Sequence, residues 1–391
     1  MRGFRLVTEH RGKQKTPLRS LAWLFLKLGT IAFGGPAAHI AMMEDEVVRR
    51  RQWLSREEFL DLLGAANLIP GPNSTEMAIH IGHRQAGWAG LVVAGVCFIA
   101  PAALIVTAFA WAYVRYRALP EVAGILYGVK PVIIVIVLQA LFLLGRTALK
   151  TRFLGVIAAV GVGLTLAGIH ELLVLLGGGV SAMAKRLLVE RRHNSISLFS
   201  TGTLAMLFQS SAPAAASFGL WPLFLFFLKV GAVLYGSGYV LLAFIRADLV
   251  ERWHWLTESQ LLDAIAVGQV TPGPVFTTAT FIGYVLAGTP GAAVATIGIF
   301  LPAFVFVALS GPLVPLIRRS ATAGAFLDGV NACALSLMFV ITYLLARSAI
   351  VDVITILITL VSIVLLFRFR INSAWLILGG AIVGWVFSRG I

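Results

Sequence analysis

Two lysines inside apolar stretches are the first residues from which chemistry can be argued. Lys27 and Lys229 each close a Phe-Leu-Lys triplet, and each stands seven residues before a glycine, Gly34 or Gly236. Seven residues are about two helical turns, so lysine and glycine share a helix face. A lysine at bilayer depth costs a few kcal/mol, so it needs a partner or a use. The structural reading is a snorkelling side chain or a pair with an acid such as Glu76. The functional reading is one cation per lysine for a bound anion.

A second pair of segments offers anion chemistry of another kind. "WLSREEFLDLLGAANLIPGPNSTEMAIHIG" (Trp53 to Gly82) and "WLTESQLLDAIAVGQVTPGPVFTTATFIG" (Trp255 to Gly283) each open with a capping box, Ser55 with Glu58 and Thr257 with Gln260. Each is interrupted by Pro-Gly-Pro, at Pro70, Gly71, Pro72 and at Pro272, Gly273, Pro274. Proline ends a helix because it lacks an N–H and restricts the residue before it. A new helix can start at once, capped by Asn73, Ser74, Thr75 or by Thr277, Thr278. The spacing thus puts a helix N-terminus, with free N–H groups and a positive dipole end, deep in an apolar segment. Asn67 and Gln269, three residues before the first proline, can donate to oxyanion oxygens or join helices to each other. Gly34, Gly35 and Gly236 allow close backbone approach. Asp61 and Asp263 lie in first turns, where a carboxylate favours the helix start. Glu76 and Lys130 have no counterpart in kind, Lys130 matching Asn331; they could pair with each other or, with the two aspartates, serve proton coupling.

The elements that must position these residues are transmembrane helices. Of 391 residues, 59% are hydrophobic and 12% charged, and mean hydropathy is +0.92, too apolar for a soluble globule. The net charge of +14 comes from Lys and Arg in short loops and in a leader carrying Arg2, Arg5, Arg11, Lys13, Lys15 and Arg19. That distribution implies positive-inside topology, with the N-terminus cytoplasmic, and excludes a basic nucleic-acid face. The leader reads as no signal peptide, because the apolar segment after it outruns an ordinary h-region and has no small-residue cleavage site. Cys97 and Cys333 read as small buried hydrophobes, with no metal-ligand spacing and no cofactor motif around them.

The chain repeats itself. Adding 202 maps Phe25-Leu26-Lys27 onto Phe227-Leu228-Lys229, Trp53-Leu54 onto Trp255-Leu256, Asp61 onto Asp263, and one Pro-Gly-Pro onto the other. After one deletion an offset of 201 maps Gly82 onto Gly283, Pro101-Ala102 onto Pro302-Ala303, and Gly128-Val129 onto Gly329-Val330. Biased composition repeats hydrophobicity, but not Lys, Asp, Trp and Pro-Gly-Pro in register. The domains are therefore a basic leader (1–17), a first repeat (18–190), a linker (191–219) that is itself a candidate span, and a second repeat (220–391). The fold class is an all-α polytopic membrane protein of two homologous halves with broken helices. Counting Leu18 to Met43 as one span, each broken segment as one span, and the linker as a crossing gives inverted halves and thirteen crossings. This count puts the Glu44 to Glu58 loop outside, Arg146, Lys150 and Arg152 inside, and the C-terminus outside.

"FLKLGTIAFGGPAAHI", "FLKVGAVLYGSGYVLL" and the two Pro-Gly-Pro segments resemble the paired signature regions of the chromate ion transporter superfamily in its long-chain, two-domain form. The resemblance runs from about Leu21 to near the end of the chain. It implies a bacterial inner-membrane protein that exports chromate, driven by membrane potential, with halves in opposite orientations. "YGSG" stands in the second copy where the first has "FGGP", which implies inequivalent halves. The implied partners are a small oxyanion and the lipid bilayer, with no nucleic acid. Oligomeric state stays open, a homodimer among the readings, as do chromate against sulfate and proton antiport, symport or uniport. An enzyme is disfavoured: no H-E-x-x-H, Walker loop or nucleophile elbow occurs. A lipid-phosphate flippase or membrane-embedded phosphate-handling enzyme would want paired arginine clusters near the headgroups, and the matched halves have none.

Overall fold

A computed structural model describes residues 16–32, 35–191, 217–234, 238–369 and 371–388. All regular structure among them is helical. The linker expected to cross near 196–216 lies outside the described residues, as do Gly34 and Gly236.

In the first half, α1 (Leu18–Ile31) buries Leu21, Leu24, Phe25 and Leu28, one stripe at helical spacing. Then α2 (Gly35–Glu44) runs on through a π-helical turn, Asp45–Arg50. Lys27 Nζ lies 2.7 Å from Glu46 Oε1. Nineteen residues of continuous helix would hold them roughly 28 Å apart, so the chain doubles back between α1 and α2. Next, α3 (Arg56–Ala66) leads into the non-helical Pro-Gly-Pro stretch, and α4 (Asn73–Tyr116) follows. Arg84 bonds Glu58 at 3.1 Å, Gln85 donates to the Trp53 carbonyl at 3.0 Å, and Thr16 donates to Gln85 at 2.8 Å. The starts of α1 and α3 and the end of the first arm of α4 therefore meet on one face, here the leader face. Both segments are re-entrant helical hairpins, and Pro-Gly-Pro forms the tip of the second.

This corrects the expectation that each was a single span, and with it the count of thirteen crossings. Hydropathy cannot tell a hairpin from a span, since both bury the same apolar length. It also moves the Glu44 to Glu58 loop to the leader face. Because two expected crossings drop out together in each half, the side of later loops is unchanged. Lys150 accordingly falls on the leader face.

Within α4 the chain reverses at Ala86 and Gly87, where Gly87 has φ +63° and ψ −147°. That region is essentially reserved for glycine, and the bend brings Gly82 against the Gly90 backbone. The long second arm, about 29 residues or roughly 43 Å, crosses to the opposite face, and α5 (Pro120–Ala148) returns. A peripheral pair, α6 (Arg152–Leu166) and α7 (Glu171–Arg191), completes the half.

The second half repeats this with α8 (Leu220–Val233), α9 (Leu241–Ile245), α10 (Glu258–Val270), α11 (Thr278–Arg319), α12 (Ala321–Ala349), α13 (Val353–Phe367) and α14 (Ser373–Ser388). Lys229 pairs with Asp248 at 2.6 Å, and α11 bends at Ala287 and Gly288 with φ +62° at the glycine. Among the described residues five helical segments are long and apolar enough to cross a membrane, and exposed Trp23, Leu104 and Trp375 stand on the outer surface. The chain is a multi-pass membrane protein.

The halves interlock reciprocally. Lys150, just past α5, bonds Asp328 near the start of α12 at 2.8 Å. Tyr127, near the start of α5, donates to Asp352 just past α12 at 2.5 Å. The equivalent helices α5 and α12 are thus antiparallel, as an in-plane pseudo-two-fold axis requires. Around them α13 and α14 pack on α5 while α6 and α7 pack on α12. Gly128 lies against Gly380 and its counterpart Gly329 against Gly178, close approaches that glycine permits.

Candidate functional site

The two Pro-Gly-Pro tips meet at the centre of the molecule. Gly71 N–H donates to the Leu234 carbonyl at the end of α8, at 2.8 Å, and Gly273 N–H donates to the Ala32 carbonyl at the end of α1, at 2.9 Å. Each half thus holds the other's tip by the same bond. These two N–H groups are consequently committed to protein and unavailable to a ligand. Both glycines have positive φ, +137° and +91°.

Between the tips lies a cavity of about 280 Å³. Gly35, Gly71, Pro72, Asn73 and Ser74 line it from the first half, and Gln269, Gly273 and Pro274 from the second. All of these are candidates from the sequence, brought together from opposite ends of the chain. The volume suits a small ion with several waters. No side chain caps the start of α4 at Pro72. Asn73 instead donates to Asn67 at 2.8 Å, and the first N–H groups of α4 remain beside the cavity, where they favour an anion. In the second half a short 3-10 turn, Val275–Thr277, intervenes before α11, and Thr277 and Thr278 bond their own backbone at Pro274 and Val275 (2.8 Å each). The expected capping by these side chains is therefore absent. Their hydroxyls find a carbonyl three residues back before they find an N–H.

Asn67 lies in an adjoining chamber of about 370 Å³ that shares Asn73 and Leu144 with the central cavity and is also lined by Lys150, Asp328 and Asn331. Its Lys150 and Asp328 place it on the leader-face side of the central cavity. On the opposite face a separate chamber of about 340 Å³ holds Tyr113, Arg117, Lys130 and Asp263. There Lys130 stands 3.2 Å from Asp263 while its hydrogen bond goes to Ser259 (2.7 Å), and Tyr113 donates to Asp263 at 2.9 Å. Asp263 is buried and Asp61 exposed, so the repeat does not make them equivalent. Thr75 and Glu76 are fully buried directly behind Asn73 and Ser74, and Pro70 and Pro272 are buried in the tips.

Lys27 and Lys229 do not line the cavity. Glu46 receives Lys27 and lies within 3.5 Å of Arg50 and Arg51; Asp248 receives Lys229 and Arg252. The sequence carried a signal for this: Glu46 and Asp248, like Arg50 and Arg252, are matched at the same offset of 202. Each lysine is therefore accompanied by an acid nineteen residues later. Gln139 on α5 and Ser373 at the start of α14 also line the cavity. Gln139 was legible as an isolated amide in an apolar helix. Ser373 had no signal, because only the cross-packing of the halves brings it there.

The chromate transporter family model matches residues 19–183 and again 221–385. Along almost its whole length the chain is 34% identical to the chromate transport protein of Cupriavidus metallidurans, covering 94% of this chain and 93% of that one. The chain belongs to the chromate transporter family. It is 31% identical to a probable chromate transport protein of Synechococcus elongatus, covering 95% of each, and 33% identical to a chromate transport protein of Pseudomonas aeruginosa over 83% of this chain and 80% of that one. No solved structure matches the chain.

Proposed function

We propose that this member of the chromate transporter family exports chromate across a bacterial inner membrane, carrying it through the central cavity, and is not an enzyme. One observation carries the site: the cavity is walled by re-entrant tips from both halves of an inverted repeat, the location where alternating-access transporters hold substrate. Its polar wall of Asn73, Ser74, Gln139 and Gln269 beside a helix start suits an oxyanion's oxygens. The relatives are named for chromate transport.

The leader face is cytoplasmic in this reading, because the leader and the Lys150 region are basic. The chamber on that side then gives the cavity to the cytoplasm, and the Lys130–Asp263–Tyr113 cluster closes it from outside. Potential drives the export. A dianion leaving a cell held inside-negative at 100 mV gains about 4.6 kcal/mol, so no nucleotide site is required. The test is flux of radiolabelled chromate and sulfate from proteoliposomes at a set potential. Chromate efflux that rises with inside-negative potential and falls at least tenfold in Asn73→Ala and Gln269→Leu is expected. Wild-type flux in both variants removes the cavity from the path, and no chromate flux in the wild type defeats the function.

A further inference from the structure

Glu76 stands in the first turn of α4, directly behind the residues that line the cavity. It is fully buried, and neither carboxyl oxygen has a hydrogen-bond partner. One oxygen sits where a side chain on Gly71 would go, so the carboxyl packs against the Pro-Gly-Pro tip itself, with Ala303 of α11 next to it. Charged and titratable side chains on α4 and on the elements packed against it include His80, His83 and Arg84 on its own helix, Arg19 and Lys27 on α1, His39 and Glu44 on α2, Arg56, Glu57, Glu58 and Asp61 on α3, Glu258 and Asp263 on α10, and Tyr284 on α11. None of them bonds to Glu76. No charged residue is among the described residues lining the cavity. The second half places Thr277 and Thr278 at the corresponding position, so the acid is single.

An ionised carboxylate without a partner costs several kcal/mol to bury. A dianion a few ångströms away adds like-charge repulsion, which disfavours the ionised form further. The proton on Glu76 and an oxyanion in the cavity therefore stabilise each other, and by linkage each favours the other's binding. Resting on the reading that the cavity carries an oxyanion, we infer that Glu76 is a proton-binding site that loads with the anion, so that one proton travels with each dianion. The carboxyl regains its charge when the tips part and water reaches it. Net charge moved per cycle is then one, not two.

Counting charge tests this in proteoliposomes of the full chain, at an alkaline pH equal on both sides where chromate is the dianion. With a tenfold gradient of radiolabelled chromate, flux stops at about 59 mV if one charge moves and about 30 mV if two. The inference expects about 59 mV for wild type and about 30 mV for Glu76→Gln. A wild-type null near 30 mV overturns it while leaving chromate transport intact, and absence of any flux defeats the transport reading instead. A Glu76→Gln null still at 59 mV moves the proton to another group and overturns the assignment. Should Glu76→Gln fail to fold or transport, Glu76→Asp keeps the acid but relocates it. Purified wild type then takes up protons on binding chromate only where the unliganded carboxyl is ionised, so uptake rises with pH toward one proton per chromate, with the midpoint of that rise shifted in Glu76→Asp. An unshifted midpoint, or no uptake in wild type, overturns the inference.

Discussion

A series of glycine-to-alanine substitutions separates backbone strain from crowding at the tips. At Gly273, φ is +91°, and an added methyl would lie 2.5 Å from the Ala102 Cβ and 3.3 Å from the Gly29 carbonyl oxygen. The left-handed backbone costs alanine about 1–2 kcal/mol. Carbon atoms rest at roughly 3.5–4.0 Å, so Ala102 and the tip must separate by about 1 Å, and such overpacking costs about 1–3 kcal/mol. The sum is about 2–5 kcal/mol. It falls on the residue whose N–H holds the Ala32 carbonyl, so the bond between the halves stretches with it. At Gly288, φ is +62° and ψ −150° but the space is open, and only the backbone cost of about 1–3 kcal/mol applies. At Gly379, helical and open, alanine gains up to about 1 kcal/mol. Thermal unfolding of purified protein followed by tryptophan fluorescence should rank Gly379→Ala at or above wild type, then Gly288→Ala, then Gly273→Ala, with chromate flux lost only in the last. Equal melting of Gly273→Ala and Gly288→Ala, or full flux in Gly273→Ala, would show that the tips are not clamped as described.

Removing the acid of a lysine pair should destabilise the protein: Asp248→Asn strands Lys229 and Arg252, each about one-third exposed, at a cost below the roughly 3–5 kcal/mol of a fully buried pair. The melting temperature should fall, and the double variant Lys229→Gln/Asp248→Asn should recover part of the loss; no recovery would refute the pairing. Asp352 is held below the usual carboxylate range by the Thr355 backbone N–H first and by the Tyr127 hydroxyl as well. A depressed folded value contributes stability above the unfolded value and loses it as pH falls. Tyr127→Phe should therefore melt below wild type near neutral pH, with the gap closing in acid; a pH-independent gap would refute this. Single cysteines at Asp45 and Lys13, in a background lacking Cys97 and Cys333, should react with an impermeant thiol reagent from the same side of the membrane. Labelling from opposite sides would refute the re-entrant hairpins.

Sequence alone determined the class and the repeat, and charge placement favoured inverted halves, which the antiparallel α5 and α12 then showed. Those follow from local or statistical properties: apolar length, charge placement, and Lys, Trp and Pro-Gly-Pro recurring in register. It also located the two tips, since paired prolines around a glycine end a helix, whereas the single Pro101 and Pro131 stand inside helices. What it left undetermined is how the chain turns in the membrane. A re-entrant hairpin and a broken span have the same composition, and only contacts such as Gln85 to Trp53 and Lys27 to Glu46 distinguish them. Depth and pattern made the matched lysines candidates for the anion, yet tertiary structure spent their charge on Glu46 and Asp248. The cavity was partly legible as Asn73, Gln269 and the glycines. Gln139 was legible only as an isolated amide in α5; that it walls the same cavity as Ser373 of the far half follows from the interlocking of two antiparallel units, and no spacing along one chain encodes which helix of one half will fill the groove of the other.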